Sequence, residues 1–399
     1  MRKLLAVLLL VIASPLTAAS RRPVAAKHGM VSSVSDIASK VGVDILRRGG
    51  NSVDAAVAVA FTLAVVWPEA GNLGGGGFML VRTPDGKTEA IDYREVAPAK
   101  ATRDMYLDAN GNVIPRKSTH GWMAVAVPGT VAGLAMAHER HGKLPWRELV
   151  APAEKLARHG FIVSEDLAYR ASWPAHAERL QFSAETRRVF GTLRAGERFV
   201  QRDLANTLAR IAKNRRDFYT GVIAQRIVKD MRANGGIVSM SDLANYKPVV
   251  REPLRGTYRG FDVITMPPPS GGGVALIEML NMLAGYDLNA LGWHSSQHVH
   301  TLVEIMRRAM ADRAQYVADP AFANVPVARL TSTEYAETRR KTIDAGHASQ
   351  SGPGELPNES PNTTHFVVVD KDGGVVSNTY TLNDSFGAGV VAKGTGFLL

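Results

Sequence analysis

Two adjacent threonines, Thr363 and Thr364, open the alternating run "HFVVV" directly behind a polar, turn-rich stretch that ends at Asn362. A threonine hydroxyl is a weak nucleophile and needs a base beside it. If the chain is cut between Asn362 and Thr363, the freed α-amino group becomes that base. Its unperturbed pKa of about 7.7–8.0 lies close to the range useful near neutrality. Amine and hydroxyl then belong to one residue, so they are positioned together, directly or through one water. "HFVVVDKDGGVVSNTYTL" reads as a β-hairpin, and Asp370-Lys371-Asp372-Gly373 suits a type I turn closed by glycine in the left-handed region. In that register Asp370 faces Gly374, and counting back sets Thr363 opposite Thr381, with Asn383 just beyond. A two-residue loop would shift the pairing by one and swap faces. In either register a hydroxyl and an amide arrive beside the threonine pair. The residues alone leave two readings open: a threonine nucleophile at a cut chain end, and a plain hairpin with a threonine at its edge.

The elements that must hold this hairpin are legible in part. From Val31 to Val66 the pattern is helical, with Asp36 and Asn51 each placed to cap a helix and Gly49-Gly50 ending the first of the two. "SVDAAVAVAFTLAVV" is apolar nearly all round, which predicts a buried helix. The run Gly74 to Gly77 leads into a strand "FMLVRT", a Pro-Asp-Gly-Lys turn and a return strand "TEAIDYRE". Trp122 to Tyr246 is mostly helical. A strand "YRGFDVITM" then runs into "PPPSGGG" and a helix, and "SSQHVHTLVEIMRRAMADRAQYVAD" is a long helix. Residues 345–362, "AGHASQSGPGELPNESPN", read as an exposed flexible segment, which suits a site of chain cleavage. Strands at both ends with helices between predict an α/β or α+β fold without a regular βαβ rhythm.

Composition narrows the function classes. The 399 residues carry 47 basic and 37 acidic side chains, a net charge of +10. The basic residues are scattered, and the short clusters "KNRRDF" and "ETRRKT" lack interleaved aromatics, so no nucleic-acid partner is expected. The charge suits solubility or small anionic substrates. Met1-Arg2-Lys3, an apolar run from Leu4 to Ala13 and small residues to Ser20 have the layout of a secretory signal spanning residues 1–19. That run is too short to cross a bilayer comfortably. With no cysteine the chain has no thiol nucleophile, disulfide or thiolate metal site.

Three other motifs invite chemistry. Gly74 to Gly77 lacks the Gly-Lys-Ser/Thr ending and the following helix of a phosphate loop. Glycines before a strand are expected to let the backbone pass close to a ligand or another chain segment. "PPPSGGG" leads into a helix whose free N–H groups could hold an anion, and ordinary turn chemistry explains it equally well. His294, His298 and His300 have no neighbouring carboxylate to complete a metal set, so they are expected on a helix surface, with no metal and no cofactor.

From about Lys27 to the last residue the sequence resembles a γ-glutamyltranspeptidase (glutathione hydrolase) proenzyme. The resemblance is carried by "GGNSVDAAVA", "AGNLGGGGFML", "DYREVAPAKATRDMY", "AVPGTVAGL", "DLANYKPVVREPLRGTYRG", "PPPSGGG", "ADRAQYVADP" and "NTTHFVVVDKDG…TYTLNDSFG", in that order. It implies an N-terminal-nucleophile hydrolase, a four-layer αββα sandwich that cuts itself into a large subunit, residues 20–362, and a small one starting at 363. By position, Thr363 would attack the Asn362 carbonyl and then take the γ-glutamyl group of glutathione or related compounds as an acyl-enzyme. Water, amino acids or peptides would release it. The resemblance gives Thr381 the role of hydrogen-bonding the nucleophile, Asn383 a contact to the donor's glutamyl end, and Arg94 the donor's α-carboxylate. An exported protein, periplasmic or secreted, with no membrane span after signal removal is implied. Two features depart from the pattern. Val367 stands where relatives often carry a small polar residue, and the sequence ends at "GTGFLL", before the family's carboxylate, paired-serine and Gly-Gly oxyanion motifs. That ending predicts an incomplete sandwich in residues 363–399 and motivates the alternative of an inactive homologue serving as an exported binding or scaffold protein.

Overall fold

The computed structural model describes residues 23–350 and 363–399. The expected signal segment and Asn362 lie outside them. The helix α1, Asp36–Arg47, closes with Gly49 N donating to Leu46 O and Gly50 N to Ile45 O, and Gly49 takes a φ of +91°. That is the double bond pattern that a left-handed glycine permits. Asp36 is the first helical residue rather than the cap, because Ser35 holds the extended position before it. Val31 and Ser32 are not helical either; they belong to a strand, β1, Gly29–Ser32. The next helix, α2, Ser52–Val66, carries alanine, valine, leucine and phenylalanine on every side, and all 15 of its residues are buried. Asn51 starts it: its side chain accepts from Val53 N and Asp54 N, while Asp54 Oδ2 accepts from Asn51 N. This reciprocal arrangement satisfies donors that a helix start otherwise leaves unpaired.

The main sheet joins β1 to five further strands, β2 (Gly76–Arg82), β3 (Thr88–Asp92), β6 (Val249–Arg251), β9 (Thr364–Asp370) and β10 (Val375–Thr381). All six pair antiparallel, in the order β1-β9-β10-β2-β3-β6. Phe366, Val368, Val376 and Tyr380 point into the core against α2, and Tyr380 OH donates to Ala60 O at 2.9 Å. Asp370 Oδ2 accepts from Ser52 N at 2.9 Å, fastening the hairpin turn to the start of α2. The glycine run passes close to other chain segments, as expected. A Cβ on Gly75 would lie 2.1 Å from Thr381 O, and one on Gly74 would lie 2.2 Å from Leu398 O.

Two small two-stranded antiparallel sheets complete the strands, β4 (Phe161–Ile162) with β5 (Arg198–Phe199) and, as a hairpin, β7 (Leu254–Tyr258) with β8 (Phe261–Thr265). "YRGFDVITM" is therefore not one strand, since Arg259 and Gly260 turn the chain with φ of +50° and +84°. The architecture is the mixed helix-and-sheet class expected, with antiparallel pairing throughout. Among the described residues there is no second large sheet of the kind a four-layer sandwich needs. Apart from β4 and β5, the regular elements from Thr130 to Asn245 are helices, and two of them, α3 (Pro174–Gln181) and α4 (Ala184–Phe190), pack against the loop that leaves β10.

A smaller core sits between α5 (Gly271–Leu283), α6 (Ser296–Tyr316) and α7 (Thr333–Arg340), around Ala275, Met282, Ile305, Ala309 and Ala336. The glycines of "PPPSGGG" start α5 against β8; a Cβ on Gly273 would lie 1.9 Å from Met266 O. His298 is buried at the start of α6 rather than exposed on its surface, and its Nδ1 accepts from His294 N at 3.2 Å. His294 precedes the helix, because Ser295 caps it. His300 Nε2 lies 2.7 Å from Asp344 O.

Glu278 on α5 is fully buried, and that burial together with Asp312 beside it pushes its pKa from 4.5 up to about 9. Between those values the folded chain holds a proton that the unfolded chain releases. Stability therefore falls as pH rises through this window, by up to about 1.4 kcal/mol per pH unit. Glu278→Gln keeps the shape and removes the titration. Urea unfolding at several pH values between about 5 and 9 is expected to show a flatter stability profile for Glu278→Gln than for the native chain. Parallel profiles would contradict this assignment.

Candidate active site

The hairpin has the three-residue loop that the turn residues predict. Asp370 N donates to Gly374 O at 2.9 Å, Gly373 takes a φ of +85°, and the ladder runs from Val369–Val375 back to Thr364–Tyr380. Thr363 is the residue just before the last rung and Thr381 the residue just after it, so the two threonines end neighbouring strands side by side. Thr363 is exposed, whereas Thr381 is 6% exposed. On its other side Thr381 pairs with Gly76 of β2. Beyond β2, Tyr93 exchanges backbone hydrogen bonds with Gly77, which brings Arg94 level with Gly76. Thr363, Thr381, Gly76 and Arg94 thus form one row across the end of the sheet.

Asn383 joins this row from the chain leaving β10. Its N–H donates to Thr381 Oγ1 at 2.9 Å, and its backbone is left-handed with φ of +73°. Asparagine is among the few non-glycine residues that tolerate this conformation. Its Oδ1 accepts from Arg94 Nη2 at 3.2 Å.

Arg94 is fixed through its backbone. Its N–H donates to Asp92 Oδ1 at 3.0 Å and its carbonyl accepts from Tyr246 OH at 2.9 Å. Asp92 is itself held by Arg251 Nε at 2.8 Å. The Arg94 side chain remains 37% exposed, and its Nε lies 3.5 Å from Glu95 Oε2. Burial raises the pKa of Glu95 while Arg94 opposes the shift.

The structure brings together four residues singled out from the sequence, Thr363, Thr381, Asn383 and Arg94. Others were missed. His365 lies two residues after Thr363 and so on the same face of β9; its Nδ1 is 2.7 Å from Thr379 Oγ1, and burial lowers its pKa. Strand alternation is a signal that could have found it. Asp92 and Tyr246 fix the Arg94 backbone, and Arg179 of α3 grips the loop that carries Asn383. Tyr246 and Arg179 come from distant segments, so no local pattern marks them, whereas Asp92 lies two residues before Arg94 and binds its N–H in a local turn of the kind aspartate favours. The arrangement offers an exposed hydroxyl, a neighbouring hydroxyl, and a partly open guanidinium with an amide beside it. Such a set can attack an acyl carbon while holding a carboxylate elsewhere on the same substrate.

The γ-glutamyltranspeptidase family model matches residues 38–399. The glutathione hydrolase proenzyme of Pseudomonas sp. strain A14 is 47% identical over 389 residues, covering 96% of this chain and 68% of that protein. The glutathione hydrolase proenzyme of Escherichia coli strain K12 is 48% identical over 386 residues, covering 94% of this chain and 66% of that protein. The chain thus spans about two thirds of the length of these curated relatives. The structure of γ-glutamyltranspeptidase from Pseudomonas nitroreducens complexed with L-DON superposes with a TM-score of 0.77 at 41% identity, over 84% of this chain and 99% of that one.

Proposed function

Because the chain belongs to the γ-glutamyltranspeptidase family, we propose that it is a self-processing γ-glutamyl transferase and glutathione hydrolase with Thr363 as its nucleophile. The observation that carries this reading is the row in which Thr363, Thr381, Asn383 and Arg94 share one end of the sheet. In the precursor the Thr363 hydroxyl adds to the Asn362 carbonyl and the peptide nitrogen leaves with a proton, giving an ester. Water then cleaves the ester, leaving an Asn362 carboxylate and a free Thr363 amine. The products are a large subunit, 20–362, and a small subunit starting at residue 363.

The freed amine takes the hydroxyl proton as Thr363 Oγ1 attacks the γ-carbonyl of a donor such as glutathione. The leaving amine takes up a proton, and the γ-glutamyl ester passes to water or to an amino acid or peptide amine. Thr381 holds the nucleophile in place, and Arg94 presents a planar fork to the donor's α-carboxylate, with Asn383 beside it. A fork binds a carboxylate through two parallel bonds, which a lysine cannot do. No helix of the described residues is long and apolar enough to cross a membrane. The N-terminal leader supports export to the periplasm or beyond the cell.

A substrate pair tests this reading. The protein should release the amine from a γ-glutamyl anilide and turn over the 4-aminobutyryl anilide, which differs only in lacking the α-carboxylate, measurably but far more slowly. Equal turnover of both would favour a relative that acts as a general acylase. The relatives this chain matches are glutathione hydrolase proenzymes, which does not favour a purely non-catalytic binding or scaffold role.

A further inference from the structure

The loop from Leu382 to Gly389 carries Asn383 at its start and takes an unusual path. Asn383, Phe386, Gly387 and Gly389 all have positive φ, and two of these are not glycine. Such a backbone persists only where its surroundings over-determine it. Arg179 of α3, only 8% exposed, supplies much of that determination. Its Nη2 lies 2.5 Å from Asp384 Oδ2, and its Nη1 donates to Gly387 O. Neighbouring groups reinforce the grip. Ser385 Oγ donates to Glu69 Oε1 at 2.8 Å, Thr186 Oγ1 of α4 donates to Gly389 O at 2.9 Å, and the His176 ring meets Phe386 edge-on.

We propose that Arg179 is a positioning residue for donor recognition: by holding Asp384 and Gly387 it sets the backbone of Asn383, and through it the guanidinium of Arg94. This rests on the γ-glutamyl transferase reading. The physical basis is distance along the chain. Asp384 is the next residue after Asn383, so a shift at the ion pair passes directly to the amide that meets Arg94 at 3.2 Å. Arg179 touches neither the nucleophile nor the donor carboxylate in this arrangement, so its effect belongs in donor binding rather than in the chemical step. The fork geometry matters too, because two acceptors on different residues are held at once.

The test compares native protein with Arg179→Met, Arg179→Lys and Asp384→Asn in the full chain. Arg179→Met is expected to raise KM for the γ-glutamyl anilide about tenfold or more, with kcat within about twofold. Preference for the γ-glutamyl over the 4-aminobutyryl anilide should fall by the same factor, and Arg179→Lys should recover part of it. A merely structural role would instead lower the amount of active protein, reducing apparent kcat and leaving KM and preference alone. If Arg179→Met fails to fold, Asp384→Asn, in which Arg179 still reaches Gly387 O, is read for the same KM shift. Calorimetric binding of L-glutamate needs no turnover and separates the two ideas. Native protein that binds glutamate but turns over no donor would defeat the catalytic reading alone. Glutamate affinity unchanged in the folded variants would overturn the positioning role.

Discussion

Thr363→Ala is expected to remain a single uncut chain and to release γ-glutamyl groups on the order of 10⁶-fold more slowly than the processed protein. The size of the effect follows from one residue doing two jobs. Its hydroxyl makes the cut that frees its amine, and the amine then activates the same hydroxyl. Alanine removes the attacking atom from both steps. Thr363→Ser keeps a hydroxyl and an amine in the same places, so it should process and retain measurable turnover. Gel analysis for two subunits, followed by anilide release, checks both variants. A processed Thr363→Ala chain would place the nucleophile elsewhere. Neither neighbouring threonine offers an easy substitute: Thr364 faces the core at 3% exposure, and Thr381 is engaged by Asn383 N.

Replacing Arg94 has the next largest expected effect. A charge-assisted hydrogen bond is worth about 1.5–3 kcal/mol, and each 1.4 kcal/mol is a factor of ten. Arg94→Met should therefore lower kcat/KM for a γ-glutamyl donor about 10²-fold, with most of the loss in KM. Arg94→Lys keeps the charge but loses the fork, and it should recover only part of the difference. The 4-aminobutyryl anilide, which has no carboxylate to lose, should respond to neither change. A fall of equal size on both substrates would mean that Arg94 only supports the fold, for example through Asn383.

Much of this was legible because it is local. The Asp-Lys-Asp-Gly turn and the strict alternation on either side fix the hairpin register, and with it the meeting of Thr363 and Thr381. The burial of α2 follows from its uniformly apolar composition, and Gly49 marks a helix end that only a left-handed residue closes so simply. What was not legible depends on contacts between distant segments. Arg259 gives no sign of a left-handed turn, yet its φ of +50° splits an apparent single strand into two. Asp36 is a good capping residue, but Ser35 already stands in the extended position. His298 looks like a surface residue until helix packing buries it. Within the site, Arg94 was named only through the family resemblance, because its place in the row comes from the pairing of β2 with β3. Arg179 and Asp384 are 205 residues apart, and nothing in either neighbourhood announces the other.

The measurement that bears most directly on the account is the intact mass and N-terminal sequence of the protein purified from its own source. The account predicts two chains, with the smaller one beginning at Thr363. A single chain uninterrupted across Asn362 and Thr363 would contradict it, since the amine needed to activate the nucleophile would never be released.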